Sequence, residues 1–145
     1  MEQERNLRLF HRVEKHSSHR RGHAFRSRHR ACTRDARFES TAFFADAGFQ
    51  EANFSDNVNF ENATFSGDAK FLKAVFSGYA KFQSADFSRA VDFRRATFSG
   101  DANFESASFS RSAKFQSAAL FGNANFRSAA LSNLVLDERS AKPPQ

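Results

Sequence analysis

One unit is repeated nineteen times between Ala36 and Leu136: a small residue, most often Ala, then any residue, then Phe or Leu. The central residue is Phe in sixteen units and Leu in three, at Leu120, Leu131 and Leu136. From Phe49 to Leu131 the steps between central residues alternate strictly between five and six, so the true period is eleven residues. A period this short indicates a solenoid in which each unit forms only part of a coil.

The same spacing excludes an α-helix and a long flat strand. On a helix, steps of five and six rotate a side chain by roughly 140° and 240°, so the Phe side chains would form no stripe. On a flat strand, a step of five sends successive Phe side chains to opposite faces. The pattern fits a very short strand followed by a corner. Within each unit the small residue and the Phe then face inward, and the residue between them faces outward.

The corners are of two lengths. Short corners have two residues, as at Glu61-Asn62, and long corners have three, as at Ser66-Gly67-Asp68. Glycine recurs in the long corners alone, which predicts that the added residue there has a positive φ angle.

The unit resembles that of the pentapeptide-repeat proteins, which have a small apolar residue, a polar residue, a central Leu or Phe and two polar residues. The resemblance implies an all-β fold, a right-handed quadrilateral parallel β-helix with four units per coil. In this chain four units take 22 residues instead of twenty, so we expect two opposite corners of each coil to be widened. Nineteen units then give about 4–5 coils.

The β-helix makes definite predictions about side chains. The core consists of stacked aromatic rings, and its central members are Phe60, Phe65, Phe71, Phe76, Phe82, Phe87, Phe93, Phe98, Phe104, Phe109 and Phe115. Residues 22 apart form outward columns. The three clearest columns are Lys70, Asp92 and Lys114; Glu61, Gln83, Glu105 and Arg127; and Asn59, Lys81, Asn103 and Asn125.

Composition divides the chain into three parts. Residues 1–35 form a flank rich in Arg and His that carries all of the net charge of +6, and it is predicted to be disordered or partly helical. Residues 36–136 form the β-helix, with ten basic and ten acidic residues, and residues 137–145 form a polar tail. No apolar run is long enough to span a membrane, so no membrane association is expected. The single cysteine, Cys32, forms no disulfide framework, and the cytoplasm is the expected compartment.

The sequence contains no motif for catalysis or for binding a cofactor. It has no phosphate-binding glycine loop, no zinc-protease motif and no nucleophile elbow. The five His residues lie in the flank without the spacing of a zinc finger. We therefore predict a protein that is not an enzyme and needs neither cofactor nor metal.

Two regions are predicted to take part in interactions. Six acidic residues cluster in the first third of the array, at Glu39, Asp46, Glu51, Asp56, Glu61 and Asp68. The last coil is apolar, and Leu131, Leu134, Val135 and Leu136 could join two copies end to end.

The predicted function is a scaffold that mediates protein–protein interaction with an unknown protein partner, including a homodimer through the C-terminal coil. The family resemblance offers an alternative, because some members are similar to duplex DNA in width and charge and bind type II topoisomerases such as gyrase. That role needs an acidic stripe along the whole rod, whereas the array turns basic after Asp68. Nucleic-acid contact through the basic flank is a further alternative, which the sequence does not favour.

Overall fold

The polypeptide winds into a parallel β-solenoid of about five turns. The computed structural model describes residues 25–26, 31–32 and 34–135, and no helix occurs among them. The strands are β1 (Phe25–Arg26), β2 (Ala31–Cys32), β3 (Ala36–Arg37), β4 (Ala42–Phe43), β5 (Ala47–Gly48), β6 (Asn53–Phe54), β7 (Val58–Asn59), β8 (Thr64–Phe65), β9 (Ala69–Lys70), β10 (Val75–Phe76), β11 (Ala80–Lys81), β12 (Asp86–Phe87), β13 (Val91–Asp92), β14 (Thr97–Phe98), β15 (Ala102–Asn103), β16 (Ser108–Lys114), β17 (Ala119–Leu120), β18 (Ala124–Asn125) and β19 (Ala130–Val135).

Each coil has four faces, which we name A to D in chain order. Face A stacks β1, β5, β9 and β13 with the end of β16 and of β19, and face B stacks β2, β6, β10, β14 and β17. Face C stacks β3, β7, β11, β15 and β18, and face D stacks β4, β8 and β12 with the start of β16 and of β19. The quadrilateral solenoid expected from the repeat is therefore confirmed.

The register between neighbouring coils is 22 residues. Lys70 pairs with Asp92 and Asp92 with Lys114 on face A, as the column prediction requires. On face C, Asn59, Lys81, Asn103 and Asn125 follow one another in the same way. The one departure is in the last coil, where the pairing of β16 with β19 shifts by one residue because the corner between Leu131 and Leu134 is one residue shorter.

Two strands precede the predicted start of the array. Phe25 aligns with Ala47 on face A, and Ala31 aligns with Asn53 on face B, both in the 22-residue register. Residues 1–24, 27–30 and 33 of the flank, residue 136 and the tail 137–145 lie outside the described residues, so the predicted boundaries at 35 and 136 and the predicted disorder stay predictions.

Short and long corners alternate around the coil. Corner AB (50–51, 72–73, 94–95 and 116–117) and corner CD (39–40, 61–62, 83–84, 105–106 and 127–128) are short. Corner BC (55–57, 77–79, 99–101 and 121–123) and corner DA (44–46, 66–68, 88–90 and 110–112) are long. The two short corners lie opposite each other in the coil, and so do the two long corners. The extra residues therefore fall at two opposite corners of each coil, as the sequence predicts.

The prediction of a positive φ in the long corners is wrong. Positive φ angles of 55–60° occur at the second residue of the short corners, and none of these residues is glycine. At Phe60–Ala63 the amide of Ala63 donates to the carbonyl of Phe60 at 3.0 Å, which makes a type II turn with Asn62 at the left-handed position. The nine such residues are Ser40, Glu51, Asn62, Lys73, Ser84, Arg95, Ser106, Ser117 and Ser128.

Glycine serves the long corners for a different reason, which is the close stacking of coils. A Cβ atom on Gly100 would lie 2.5 Å from the carbonyl oxygen of Gly78 in the coil below, and one on Gly67 would lie 2.6 Å from the backbone of Ala45. None of these glycines has a left-handed φ. They are required because a side chain would collide with the neighbouring backbone.

The core is a set of four columns of Phe rings. On face C, Phe60 stacks on Phe82 at 5.0 Å and Phe82 on Phe104 at 4.9 Å, with the rings within 8° of parallel. Across the interior, Phe82 meets Phe71 and Phe93 of face A edge to face at 5.7 Å and 5.6 Å. All eleven of the predicted central Phe residues are buried, with exposures of 0–3%. Thr41 takes the inward place that Ala has in most units, and it is 5% exposed.

Candidate interaction surfaces

The acidic residues of the first third do not share one face. Glu39 and Glu61 lie on corner CD, and Asp46 and Asp68 lie on corner DA. The remaining two, Glu51 and Asp56, lie on corners AB and BC. The six carboxylates therefore surround the rod on all four corners, and no continuous acidic stripe forms.

Several of these carboxylates have local partners. The Asp46 carboxylate accepts a hydrogen bond from the amide of Asp68 in the next coil at 2.9 Å and lies 3.7 Å from Lys70. Asp68 in turn lies 3.7 Å from Arg89, and Glu39 accepts a hydrogen bond from the Asn59 amide group at 3.1 Å. These contacts link successive coils, so the carboxylates serve the stacking as well as the surface charge.

Asx side chains make similar links at corner BC. The Asn57 side-chain oxygen accepts a hydrogen bond from the amide of Tyr79 at 2.8 Å, and Asp101 accepts one from the amide of Asn123 at 2.9 Å. In both cases the donor lies 22 residues further along the chain. The long corners are thus held to one another by side chains in addition to the strand pairing.

The C-terminal coil exposes apolar side chains. Phe121 is 77% exposed and Leu131 is 39% exposed. Leu120, Phe126, Ala129 and Leu134 are only partly buried against the end of the core. Of the predicted dimer residues, Leu131, Leu134 and Val135 belong to β19, and Leu136 lies outside the described residues. Phe121, on corner BC, lies on the same coil as Leu131, ten residues earlier in the chain.

Exposed aromatic residues mark the irregular corners. Phe44 is 44% exposed on corner DA, and Phe44 and Phe121 stand where other long corners have Ser after the central residue. Tyr79, at corner BC, is 38% exposed, with the Lys81 ammonium group 5.7 Å from its ring centre. Phe44 was not identified from the sequence as an interaction residue, although its place in a position that is usually Ser was a visible signal.

A basic surface follows face A and the two corners that border it. It consists of Lys70, Lys73, Arg89, Arg94, Arg95, Arg111 and Lys114, and we call it the basic face. A depression of ≈ 320 Å³ opens on it, and its lining includes the basic residues Lys70, Arg94 and Lys114 and the acidic residues Asp68 and Asp92.

One carboxylate, Asp92, lies on face A itself, among these basic residues. The Arg94 side chain donates to both of its oxygens, at 2.9 Å and 2.7 Å, and the Arg94 backbone amide donates at 3.0 Å. Burial by itself would raise the pKa of Asp92, but the hydrogen bonds from Arg94 and the charges of Arg94 and Lys114 together lower it below its usual value. Asp92 is therefore held as an anion, and the same contact raises the pKa of Arg94.

No metal site is evident in the described part of the chain, where no three His, Cys, Asp or Glu side chains are grouped to hold an ion. Nor do these residues include a helix with the length and apolarity needed to cross a membrane.

Comparison with known proteins gives one match. A family model described as pentapeptide repeats, nine copies, matches residues 49–97 and 71–118. These two ranges overlap and cover the regular middle of the solenoid, where the alternation of five and six residues is unbroken. No curated protein and no solved structure matches the chain.

Proposed function

Because the chain belongs to the pentapeptide-repeat family, we propose that it is a non-enzymatic scaffold that mediates protein–protein interaction. The observation that carries this proposal is the apolar end of the rod, where Phe121 is 77% exposed beside partly buried core residues. Exposed aromatic groups on a rigid support are typical anchors of protein interfaces. The array itself has no His or Cys to supply nucleophilic or imidazole chemistry. Because a single cysteine forms no disulfide framework, the cytoplasm is the compartment that we expect.

The partner that best fits the apolar end of the rod is a second copy of the chain. The end coil combines Leu131 and Leu134 with the edge of β17, β18 and β19, and strand edges of this kind pair readily with one another. Two copies joined through their C-terminal coils would form a continuous rod of about ten coils. The DNA-mimic alternative is not carried forward, because the acidic residues lie on four different corners.

The test is the mass of the protein in solution at about 100 μM, a concentration at which a micromolar association is nearly complete. We expect a dimer by light scattering, and a monomer for the double variant Phe121→Ser/Leu131→Ser. The matched control is Phe44→Ser/Tyr79→Ser, which removes two exposed aromatic groups away from the end coil and should leave the dimer intact.

A wild-type monomer at this concentration contradicts self-association through the end coil. The scaffold proposal then requires a different protein as the partner. Candidates are captured from solution on the immobilised chain. Partners retained by the control variant and lost by the end-coil variant support it, and identical capture by both variants contradicts the assignment to this surface.

A further inference from the structure

The charges of the array are separated across the rod as well as along it. From residue 69 onward the array has nine basic and four acidic residues. Seven of the basic residues belong to the basic face, together with one acidic residue, Asp92. The remaining sides carry Lys81 and Arg127 against three carboxylates, Asp86, Asp101 and Glu105. From residue 69 onward this side of the rod thus has a net charge of +6, and the other sides together have a net charge of −1. Over the whole array, where Asp46, Glu51 and Asp68 lie on the same side, the two values are +3 and −3.

Most of this positive charge is not neutralised within the described residues. Among the described residues, no carboxylate forms an ion pair within 4.0 Å with Lys73, Arg95, Arg111 or Lys114. Lys70 and Arg89 have carboxylates at 3.7 Å, but both basic side chains stay 43% and 61% exposed. Such exposed pairs are weak and exchange easily for another anion.

The first described strand has its place on the same side. β1 lies on face A, where Arg26 has the register position of Gly48, and the same register continues to Lys70, Asp92 and Lys114. The register of face A therefore extends from Lys114 back to the first described strand.

We propose that the basic face binds the sugar–phosphate backbone of a nucleic-acid duplex. Lys and Arg without apolar anchors are typical of phosphate contacts, whereas the cores of protein interfaces are depleted of Lys and rely on aromatic groups. Within the basic face Leu72 is the sole apolar neighbour in the depression besides two alanines, and it is partly buried.

The same face favours a duplex over a single strand. Single-strand binding sites combine positive charge with aromatic groups on which bases stack. The exposed aromatic side chains of the described residues are Phe44, Tyr79 and Phe121, and of these only Phe44 lies on a corner that borders face A. Tyr79 and Phe121 lie on corner BC, and Phe44 lies two coils away from Arg89 along corner DA. A flat row of cations without stacking groups suits phosphates held on the outside of a double helix.

The experiment measures binding of the full chain to a fluorescent random-sequence DNA duplex of about 20 base pairs between about 50 and 200 mM salt. The basic-face variant is Lys73→Gln/Arg111→Gln/Lys114→Gln, with one change on each corner and one on the face itself. The matched control is Arg37→Gln/Lys81→Gln/Arg127→Gln, which removes the same charge from face C and corner CD. Both variants keep the flank intact, and their thermal melts show whether each is folded.

Each phosphate contact contributes about −0.9 to the slope of the logarithm of the binding constant against the logarithm of the salt concentration. The slope of the basic-face variant, which lacks three cations, should therefore be shallower by about 2.7. The control should keep the wild-type slope. Absence of duplex binding at about 50 mM salt, or an equal loss of slope in both variants, overturns the proposal.

Two further probes identify the ligand. Oligo-dT bound more tightly than the duplex would make this a single-strand site, and poly-glutamate bound more tightly would make it a site for an acidic protein. Either result overturns the proposal as well.

Discussion

At the scale of single residues, the two kinds of corner place opposite demands on the backbone. The second residue of each short corner has a left-handed conformation, which costs a residue other than glycine roughly 1–2 kcal/mol. Its amide remains in the coil-to-coil ladder, since Ser106 donates to the carbonyl of Arg127 at 2.9 Å. The long-corner glycines have no such conformation and are limited by contact with the coil below.

This difference predicts that glycine matters where φ is not positive. Gly100→Ala should lower the free energy of unfolding by about 1–3 kcal/mol, because its Cβ atom would collide with the backbone of Gly78. The matched change is Ser106→Gly, in which relief of the left-handed strain offsets the greater chain entropy of glycine, so the change stays below about 1 kcal/mol. Denaturant unfolding of both variants is the measurement. An unaltered Gly100→Ala would contradict the close coil contact.

The Asp92–Arg94 contact predicts a dependence of stability on acid. The pKa of Asp92 is lower in the folded state than its ordinary value of 3.8, so the unfolded state takes up the proton first as the pH falls. The stabilisation by the carboxylate is complete only above about pH 5, and it is lost as the pH falls through the lowered pKa of the folded state.

Unfolding free energies of wild type and Asp92→Asn, measured from about pH 6 to pH 2, test this. Asp92→Asn should be less stable by up to about 1 kcal/mol near pH 6, and the difference should shrink in acid. Arg94→Gln, which removes the two side-chain hydrogen bonds to Asp92 and keeps the one from the backbone amide, should weaken the same acid dependence. A constant difference between wild type and Asp92→Asn at every pH would show that the carboxylate is not involved.

At the scale of elements, stability comes from columns of rings, because each strand has only two residues in most of the array. Phe82 contacts rings above, below and across the interior at 4.9–5.7 Å, and it is fully buried. Phe82→Ala should lower the free energy of unfolding by about 3–5 kcal/mol, because the ring is removed and the coils on either side hold the cavity open.

Phe82→Leu is the matched control, since Leu is the central residue at Leu120 and Leu131 in the last coils. It keeps most of the buried apolar volume and should cost less than half as much as Phe82→Ala in the same denaturant experiment. Equal losses in the two variants would mean that ring stacking rather than filled volume determines the stability of the column.

The repeat spacing was sufficient to predict these columns, because inward and outward positions follow from a side-chain period of two within a unit. It gave the 22-residue register and the buried Phe residues without reference to contacts. The corners could not be predicted in the same way. Whether Gly67 or Gly100 needs a positive φ or merely space depends on the backbone of the preceding coil, which is 22 residues away in sequence. Ser, Lys and Arg at the left-handed positions also carry no local sign of that conformation.

At the scale of the whole molecule, wrapping the chain four units to a coil converts a mixed sequence into sides of different charge. Counting along the sequence gave an acidic beginning and a basic end, which is a division along the axis. The one-sided grouping of Lys70, Arg89 and Arg111 emerges only when residues are assigned to faces. The apolar end and the basic face are separate surfaces, so one rod can offer a protein contact and a phosphate contact at once.

The constant register also predicts which lengths of chain can be removed. Deletion of residues 80–101 joins two positions that are paired in the register, so every remaining coil stacks as before, with short corner on short corner. Stability in such a fold is close to a sum over repeats and their interfaces. The shortened protein should therefore melt cooperatively, with a free energy of unfolding reduced by about one coil's share.

Deletion of residues 83–87 removes fewer residues and should be more harmful. It places the long corner 88–90 directly after Phe82, so that this corner follows the long corner 77–79 with only one strand between them. Every later face then moves round by one position, and at the junction short corners stack on long ones. There the hydrogen bonds of the left-handed corner residues and the glycine contacts lose their partners, because both depend on like corners lying in register. Circular dichroism melts of the two deletions side by side are the measurement. A five-residue deletion that is as stable as the 22-residue one would show that the corners, unlike the Phe columns, do not specify how coils stack.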